Sequence, residues 1–150
     1  MEALKVADAY LRDHDVPLLI YQGRINLLDR EPIKEGILDY CNQNGIGFIS
    51  FSPLAQGLLT DRYLNGIPQD SRMSKERFLK SDRLTPELLE YIKRLNAMAQ
   101  QRDETLAEMA LAWILHQQGV TSVLVGTSST QQLAKNLKCI SAKPFEDIEC

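Results

Sequence analysis

Apolar positions in residues 2 to 13 recur with a helical period. Leu4, Ala7 and Leu11 share one side, with Glu2, Lys5, Asp8 and Arg12 opposite, so the spacing predicts an amphipathic helix whose charges face solvent. After the break at His14-Asp15 and Pro17, the run Leu18-Leu19-Ile20-Tyr21 is too short for a helix and reads as a buried strand. Ile33, Gly36, Ile37, Tyr40 and Cys41 then mark one face of a second helix, with Pro32 near its first turn and Asn44-Gly45 as its stop. A second strand, Ile46 to Phe51, is closed by Ser52-Pro53, because proline removes a ladder donor.

From Leu54 to about Thr85 no period is sustained, and Gly57, Gly66 and Pro68 mark a long loop. Loops beyond about 15 residues are usually functional or disordered. Thr85-Pro86-Glu87 opens a helix with the stripe Leu88, Ile92, Leu95 and Ala99. Thr105 caps another, carrying Leu106, Met109, Ala110, Trp113 and Ile114 and ending at Gly119. A third strand, Ser122 to Val125, leads through Gly126-Thr127-Ser128-Ser129 into a helix bearing Leu133 and Leu137. The tail from Pro144 to Cys150 is acidic and short of a full element. Strands alternating with helices specify an α/β fold with a parallel sheet. Three such strands leave both sheet edges open, so the pattern reads as part of something larger.

Composition narrows the function classes. The 150 residues are 44% hydrophobic and 25% charged, an ordinary globular balance in one domain's worth of chain. A net charge of −3 gives no electrostatic case for nucleic acid or an anionic membrane. Apolar runs of about five residues fall far below a membrane span of about 20. Met1-Glu2 opens a mixed helical pattern rather than a signal peptide. Cys41, Cys139 and Cys150 form no CxxC pair, which argues against a disulfide framework or a zinc site and for a reducing, cytoplasmic setting.

Two constellations carry candidate chemistry. In Val125-Gly126-Thr127-Ser128-Ser129-Thr130 a strand turns into a helix. Glycine admits a close ligand, the helix start offers free N–H groups, and Gln132 and Asn136 share one face just inside. The same residues also make an ordinary capped turn. In Phe51-Ser52-Pro53-Leu54-Ala55-Gln56-Gly57-Leu58-Leu59, the carboxyl end of a buried strand places an aromatic ring where parallel α/β proteins bind ligands. There Phe51 serves either as a stacking platform or as a core plug. Arg62 and Arg72 in the long loop offer phosphate-binding forks, although most loop arginines are solvated. His14 and His116 read as solvated, Cys41 as buried and inert, and Trp113 as core. No spacing suggests a metal site or an activated nucleophile.

The strings Phe48 to Thr60, Tyr63-Leu64-Asn65-Gly66-Ile67-Pro68, Met109-Ala110-Leu111-Ala112-Trp113 and Thr121 to Ser128, with the earlier Tyr21-Gln22 and Asn26-Leu27-Leu28-Asp29-Arg30, resemble the aldo-keto reductases. Within that family the likeness points to the branch of glyceraldehyde-3-phosphate reductase-like enzymes and voltage-gated potassium channel β subunits. It implies the carboxyl-terminal portion of a (β/α)8 barrel, as a single partial domain over 1–150, and NADPH as cofactor. It places Gln22 at the nicotinamide carboxamide, Phe51 on the nicotinamide ring, and Ser52, Leu54, Gln56 and Gly57 along the pyrophosphate, with Arg62 as a phosphate contact. It places Arg72, Gly126 and Ser128 at the adenosine 2′-phosphate end, and Gln132 and Asn136 toward the adenine.

Two stretches depart from the family pattern: Lys135, where relatives commonly carry an acidic residue, and the three residues Gly23-Arg24-Ile25 after the glutamine. The family's catalytic aspartate, tyrosine, lysine and histidine come from earlier strands, and Asp8-Ala9-Tyr10 does not reproduce their spacing. A carbonyl receiving hydride needs a proton donor, so the chain alone is expected to be inactive toward small aldehydes and ketones. The competing expectation is a non-catalytic nucleotide-binding or assembly module that pairs with a separate amino-terminal half or with itself.

Overall fold

The structure is a computed structural model that describes residues 1–64, 66 and 84–145. Their contacts gather into two compact units, one formed from residues 1–53 with 114–125 and the other from 54–113 with 126 onward.

The first unit holds a parallel sheet in the order β1 (Ile20–Arg24), β2 (Gly47–Phe51), β3 (Val120–Val123). Among the described residues both β1 and β3 pair only with β2, so the sheet is open rather than a closed barrel. The strand boundaries differ from those read off the apolar runs. β1 begins two residues later than expected and runs through the polar Gln22 and Arg24, because ladder pairing from Ile20↔Gly47 to Arg24↔Phe51 sets its length. β3 starts at Val120 instead of Ser122: Val120 pairs with Phe48 and Ser122 with Ile49, leaving Thr121 as an extra residue. The Thr121 hydroxyl accepts the Phe48 N–H at 3.1 Å and so satisfies the donor that the bulge would otherwise orphan. Thr121 and Ser122 of β3 are exposed.

Helix α1 (Glu2–Arg12) is present as expected, but its buried face is turned from the predicted one. Leu4 and Asp8 are buried while Ala7 is exposed. The expectation of a solvated Asp8 is corrected, because its carboxylate is only 1% exposed. It accepts Arg12 Nε at 3.0 Å and the Tyr40 hydroxyl at 2.9 Å, and Arg12 Nη2 in turn donates to the Asn44 carbonyl. A buried carboxylate is tolerable when paired and hydrogen-bonded in this way. The same bond to Asp8 raises the Tyr40 phenol above its ordinary range.

The single helix expected around residues 33 to 41 is two short ones, α2 (Glu31–Lys34) and α3 (Ile37–Gln43). Gly36 stands between them at φ +69°, a left-handed turn that glycine adopts at little cost and that a continuous helix forbids. The predicted stop at Asn44-Gly45 is realised, with Ile46 N–H reaching back to the Cys41 carbonyl at 2.9 Å.

The second unit contains two single-turn 3₁₀ segments (Ala55–Gly57 and Asp61–Tyr63), α4 (Pro86–Gln101), α5 (Leu106–Leu115, whose last two residues belong to the first unit), α6 (Thr130–Leu137) and a 3₁₀ turn at Lys138–Ser141. Caps fix the helix starts where the sequence placed them. Thr85 Oγ1 accepts Leu88 N–H, and Thr105 and Glu108 bond reciprocally through Oγ1 and Oε2. The α5 residues Leu106 and Met109 to Ile114 are all buried, Trp113 among them. Leu133 and Leu137 on α6 are instead exposed. Cys41 and Cys139 are buried, and burial pushes both thiols up, away from the reactive thiolate. No described helix is long and apolar enough to cross a membrane.

Candidate functional site

In the first unit the site residues gather on one face of the sheet. Paired residues of parallel strands point the same way, so the register Gln22↔Ile49 and Arg24↔Phe51 puts Gln22 and Phe51 on a common face, two strand positions apart. Phe48 and Ser50 occupy the opposite face and are themselves fully buried. Gln22 is exposed and Phe51 half-buried. A flat ring beside an amide is an arrangement that can stack on and orient a polar heterocycle. At this end of β2, Ser52 takes φ +51°, an uncommon conformation for a residue with a side chain.

Two side chains secure the turn. Ser50 Oγ donates to the Ile25 carbonyl at 2.9 Å, and Asn26 Nδ2 donates to the Ser52 carbonyl at 3.1 Å. Arg24 and Asp29 form an ion pair beside them. Asn26 was part of the motif that carried the family resemblance, yet sequence reasoning gave it no role. Its one local signal is a lone polar side chain between Ile25 and Leu27.

In the second unit, Leu54, Gln56 and Gly57 shape a tight turn. Ala55, Gln56 and Gly57 all have positive φ, at 46°, 59° and 102°. Two of the three carry side chains, and strain of this kind persists where surrounding structure over-determines it, often at ligand clamps. Gly57 N–H closes the turn on the Leu54 carbonyl at 2.8 Å, and Thr60 Oγ1 donates to the Gly57 carbonyl at 2.7 Å. Arg62 follows on the exposed side of the second 3₁₀ turn.

At the start of α6 the ordinary capping geometry is present. Ser129 Oγ accepts Gln132 N–H at 3.1 Å, and Gln132 Oε1 accepts both the N–H and the hydroxyl of Ser128, at 2.9 and 3.1 Å. With its oxygen engaged, the NH2 of Gln132 is the group it offers to a ligand. Gly126 and Ser128 are exposed, whereas Asn136 is 5% exposed. Arg72 lies outside the described residues.

Enclosed polar atoms test whether the residues fit a bound nucleotide. Gln56 Oε1 and Asn136 Nδ2 are enclosed and have no hydrogen-bond partner among the described residues. Leaving such an atom unsatisfied costs about 1–3 kcal/mol, and each unpaired group calls for an explanation. One is an acceptor, in the turn after β2, and the other a donor, on α6 near its carboxyl end. A ligand rich in hydroxyls, amides and phosphates fits that complement.

Acid–base machinery is not assembled from Asp8 and Tyr10. Asp8 is locked to Arg12 and Tyr40, and the exposed Tyr10 ring lies 4.3 Å from His14 on the same helix segment. Among the described residues no group of three or more histidines, cysteines or carboxylates could hold a metal.

A three-stranded parallel sheet whose strands alternate with helices along the chain, with polar turns after β2 and before α6, is the pattern of an arc of an α/β-barrel protein. The Aldo/keto reductase family model matches residues 1–149, and the chain belongs to that family. It is 49% identical over 143 residues to the L-glyceraldehyde 3-phosphate reductase of Escherichia coli K12, covering 93% of this chain and 41% of that protein. Likeness to the same-named enzyme of E. coli O157:H7 is 48% with the same coverage. The chain therefore spans about two fifths of the length of these curated relatives. A crystal structure of the thermostable aldo-keto reductase Tm1743 with the inhibitor epalrestat superposes with a TM-score of 0.67 at 21% identity, covering 95% of this chain and 41% of that one. That likeness supports the barrel-type fold.

Proposed function

We propose that this chain is the NADPH-binding part of an aldo-keto reductase. Phe51 would stack on the nicotinamide and Gln22 hold its carboxamide. Ser52, Leu54, Gln56, Gly57 and Arg62 would line the pyrophosphate. Gly126, Ser128, Gln132 and Asn136 would take the adenosine end together with Arg72, on the family resemblance. The observation that carries this reading is the orphaned buried donor Asn136 Nδ2, which an acceptor on the adenosine end of the cofactor would satisfy. When bound, NADPH supplies a hydride to a carbonyl carbon. The substrate class is a small aldehyde or ketone, supported by the name of the E. coli relatives. The partner is an amino-terminal barrel half bearing the proton donor or, in the assembly reading, a second copy of the chain. A cytoplasmic setting accords with the absence of an extracellular cysteine framework in the sequence.

Titration of the chain with NADPH, followed by cofactor fluorescence, is expected to give saturable binding. Phe51→Ala is expected to weaken it about tenfold, in keeping with roughly 1–3 kcal/mol for stacking a flat heterocycle on an aromatic ring. Gln132→Ala is expected to weaken it further. Binding indifferent to both substitutions would sink the assignment. An aldehyde-reduction assay on the chain alone is expected to show no turnover above buffer, because neither Asp8 nor Tyr10 is placed as an acid.

A further inference from the structure

The backbone at the end of β2 is held where its own residues would not choose to sit. Ser52 has φ +51° although it carries a side chain. It also precedes Pro53, and the residue before a proline favours extended backbone. Some other group must supply the constraint. The contact on the Ser52 carbonyl comes from Asn26 Nδ2, 3.1 Å away across 26 residues of chain.

The surroundings of Asn26 hold it in place for that contact. It is 2% exposed. Its main chain exchanges two hydrogen bonds with Asp29, at 2.9 and 3.1 Å, which fixes the backbone. Its side-chain oxygen accepts the Leu28 N–H at 2.9 Å. An amide oxygen committed to a donor leaves the NH2 to face the other way, and here it meets the Ser52 carbonyl. Orientation of the amide therefore follows from the Leu28 N–H. Ser50 Oγ on the Ile25 carbonyl is a second tie between the same two segments, also buried.

We infer that Asn26 is a positioning residue for the nicotinamide platform: it latches the strained Ser52 backbone and through it sets Phe51. This inference rests on the NADPH-binding reading, and Asn26 itself touches no cofactor. Its role is to store the bound conformation in the free protein, so that binding does not have to bend the chain.

The test is a double-variant cycle with two readouts. Asn26→Ala is expected to weaken NADPH binding at least tenfold. In a Ser52→Gly background the same substitution is expected to cost less than threefold, because glycine takes positive φ without a latch. Equal losses in both backgrounds would overturn the proposal, since they would mean that Asn26 acts through general stability or through direct contact. The second readout needs no cofactor: backbone chemical shifts of Ser52, which report φ, are expected to leave the left-handed range in Asn26→Ala. Unchanged shifts would overturn the latch even if binding fell.

Should Asn26→Ala not fold, the unsubstituted chain still decides. One Asn26 side-chain amide proton is expected to be protected from solvent exchange, and rapid exchange of both would refute the bond. A chain that binds no NADPH but shows the Ser52 shift change would remove the cofactor reading and leave the latch standing.

Discussion

Phe48→Ala is expected to lower the unfolding free energy by about 3–5 kcal/mol, the range seen when a buried phenylalanine is truncated. The reasons are specific to its position. Phe48 lies on the central strand with no exposed surface, and its ring sits 5.6 Å from that of Tyr21 in a tilted pair. The ring also fills the space above Gly23 on the neighbouring strand. A Cβ placed on Gly23 would stand 2.6 Å from Phe48 Cζ and 2.9 Å from Tyr21 Cε1, closer than carbon atoms approach. Glycine at 23 is therefore the complement of a ring at 48.

That relationship predicts the sign of a coupling as well as a loss. Gly23→Ala alone should destabilise by about 1–3 kcal/mol through overpacking. Adding it to Phe48→Ala should cost less than the sum of the two, because the methyl then enters space the ring has vacated. Urea denaturation followed by far-ultraviolet circular dichroism measures all three chains. A loss under about 1 kcal/mol for Phe48→Ala, or strictly additive losses, would contradict the packing described. The family pattern commonly differs after Gln22, and the contact with Phe48 gives Gly23 a local physical reason.

What could be read from the sequence depended on how far apart the interacting groups lie. Helix starts at Thr85, Thr105 and Ser129, and the stop at Asn44-Gly45, are settled by bonds spanning three to five residues, and all were legible. Strand limits were not, because β3 is positioned by a bulge at Thr121 whose partner Phe48 is 73 residues away. Asp8 was misread as a surface charge for the same reason: Tyr40, which helps to satisfy it, is 32 residues on. An amphipathic pattern records only which side chains are apolar, and a well-paired carboxylate can take a buried position without changing that record.

The site divides along the same line. Motif resemblance nominates Gln22, Phe51, Gln56, Gln132 and Asn136 for the proposed site, because residue types in order carry it. The strain around them was not visible. Gly57 advertises a positive φ, but Ser52, Ala55 and Gln56 adopt one with ordinary side chains. No rule of local propensity predicts that, and only the surrounding structure can impose it.

Arg102→Ala is expected to cost about 3–5 kcal/mol, the penalty for breaking a buried ion pair from one side. Arg102 is 6% exposed, and its Nε and Nη2 each donate to Glu104 at 3.2 Å. The same guanidinium donates to the carbonyls of Lys143 and Pro144 and stands 4.0 Å from the centre of the Phe145 ring. One planar group thus ties the α4–α5 link to residues 143–145. Removing it strands a Glu104 carboxylate that is itself only 10% exposed.

Arg102→Lys should not restore the loss, because an ammonium cannot fork to a carboxylate and two carbonyls while stacking on a ring. Removing both charges with Arg102→Met and Glu104→Leu should recover much of it, as apolar replacements of buried pairs often do. The neighbouring ion pair gives an internal control. Lys143 Nζ meets Asp103 at 3.1 Å, but both side chains are largely exposed, so Lys143→Ala should change stability by no more than about 1 kcal/mol. If Arg102→Ala and Lys143→Ala prove equally mild in thermal and urea unfolding, residues 143–145 are not anchored by this arginine. If only Arg102→Ala is severe and also exposes the chain after Ala142 to protease, the guanidinium is the clasp that fastens this segment.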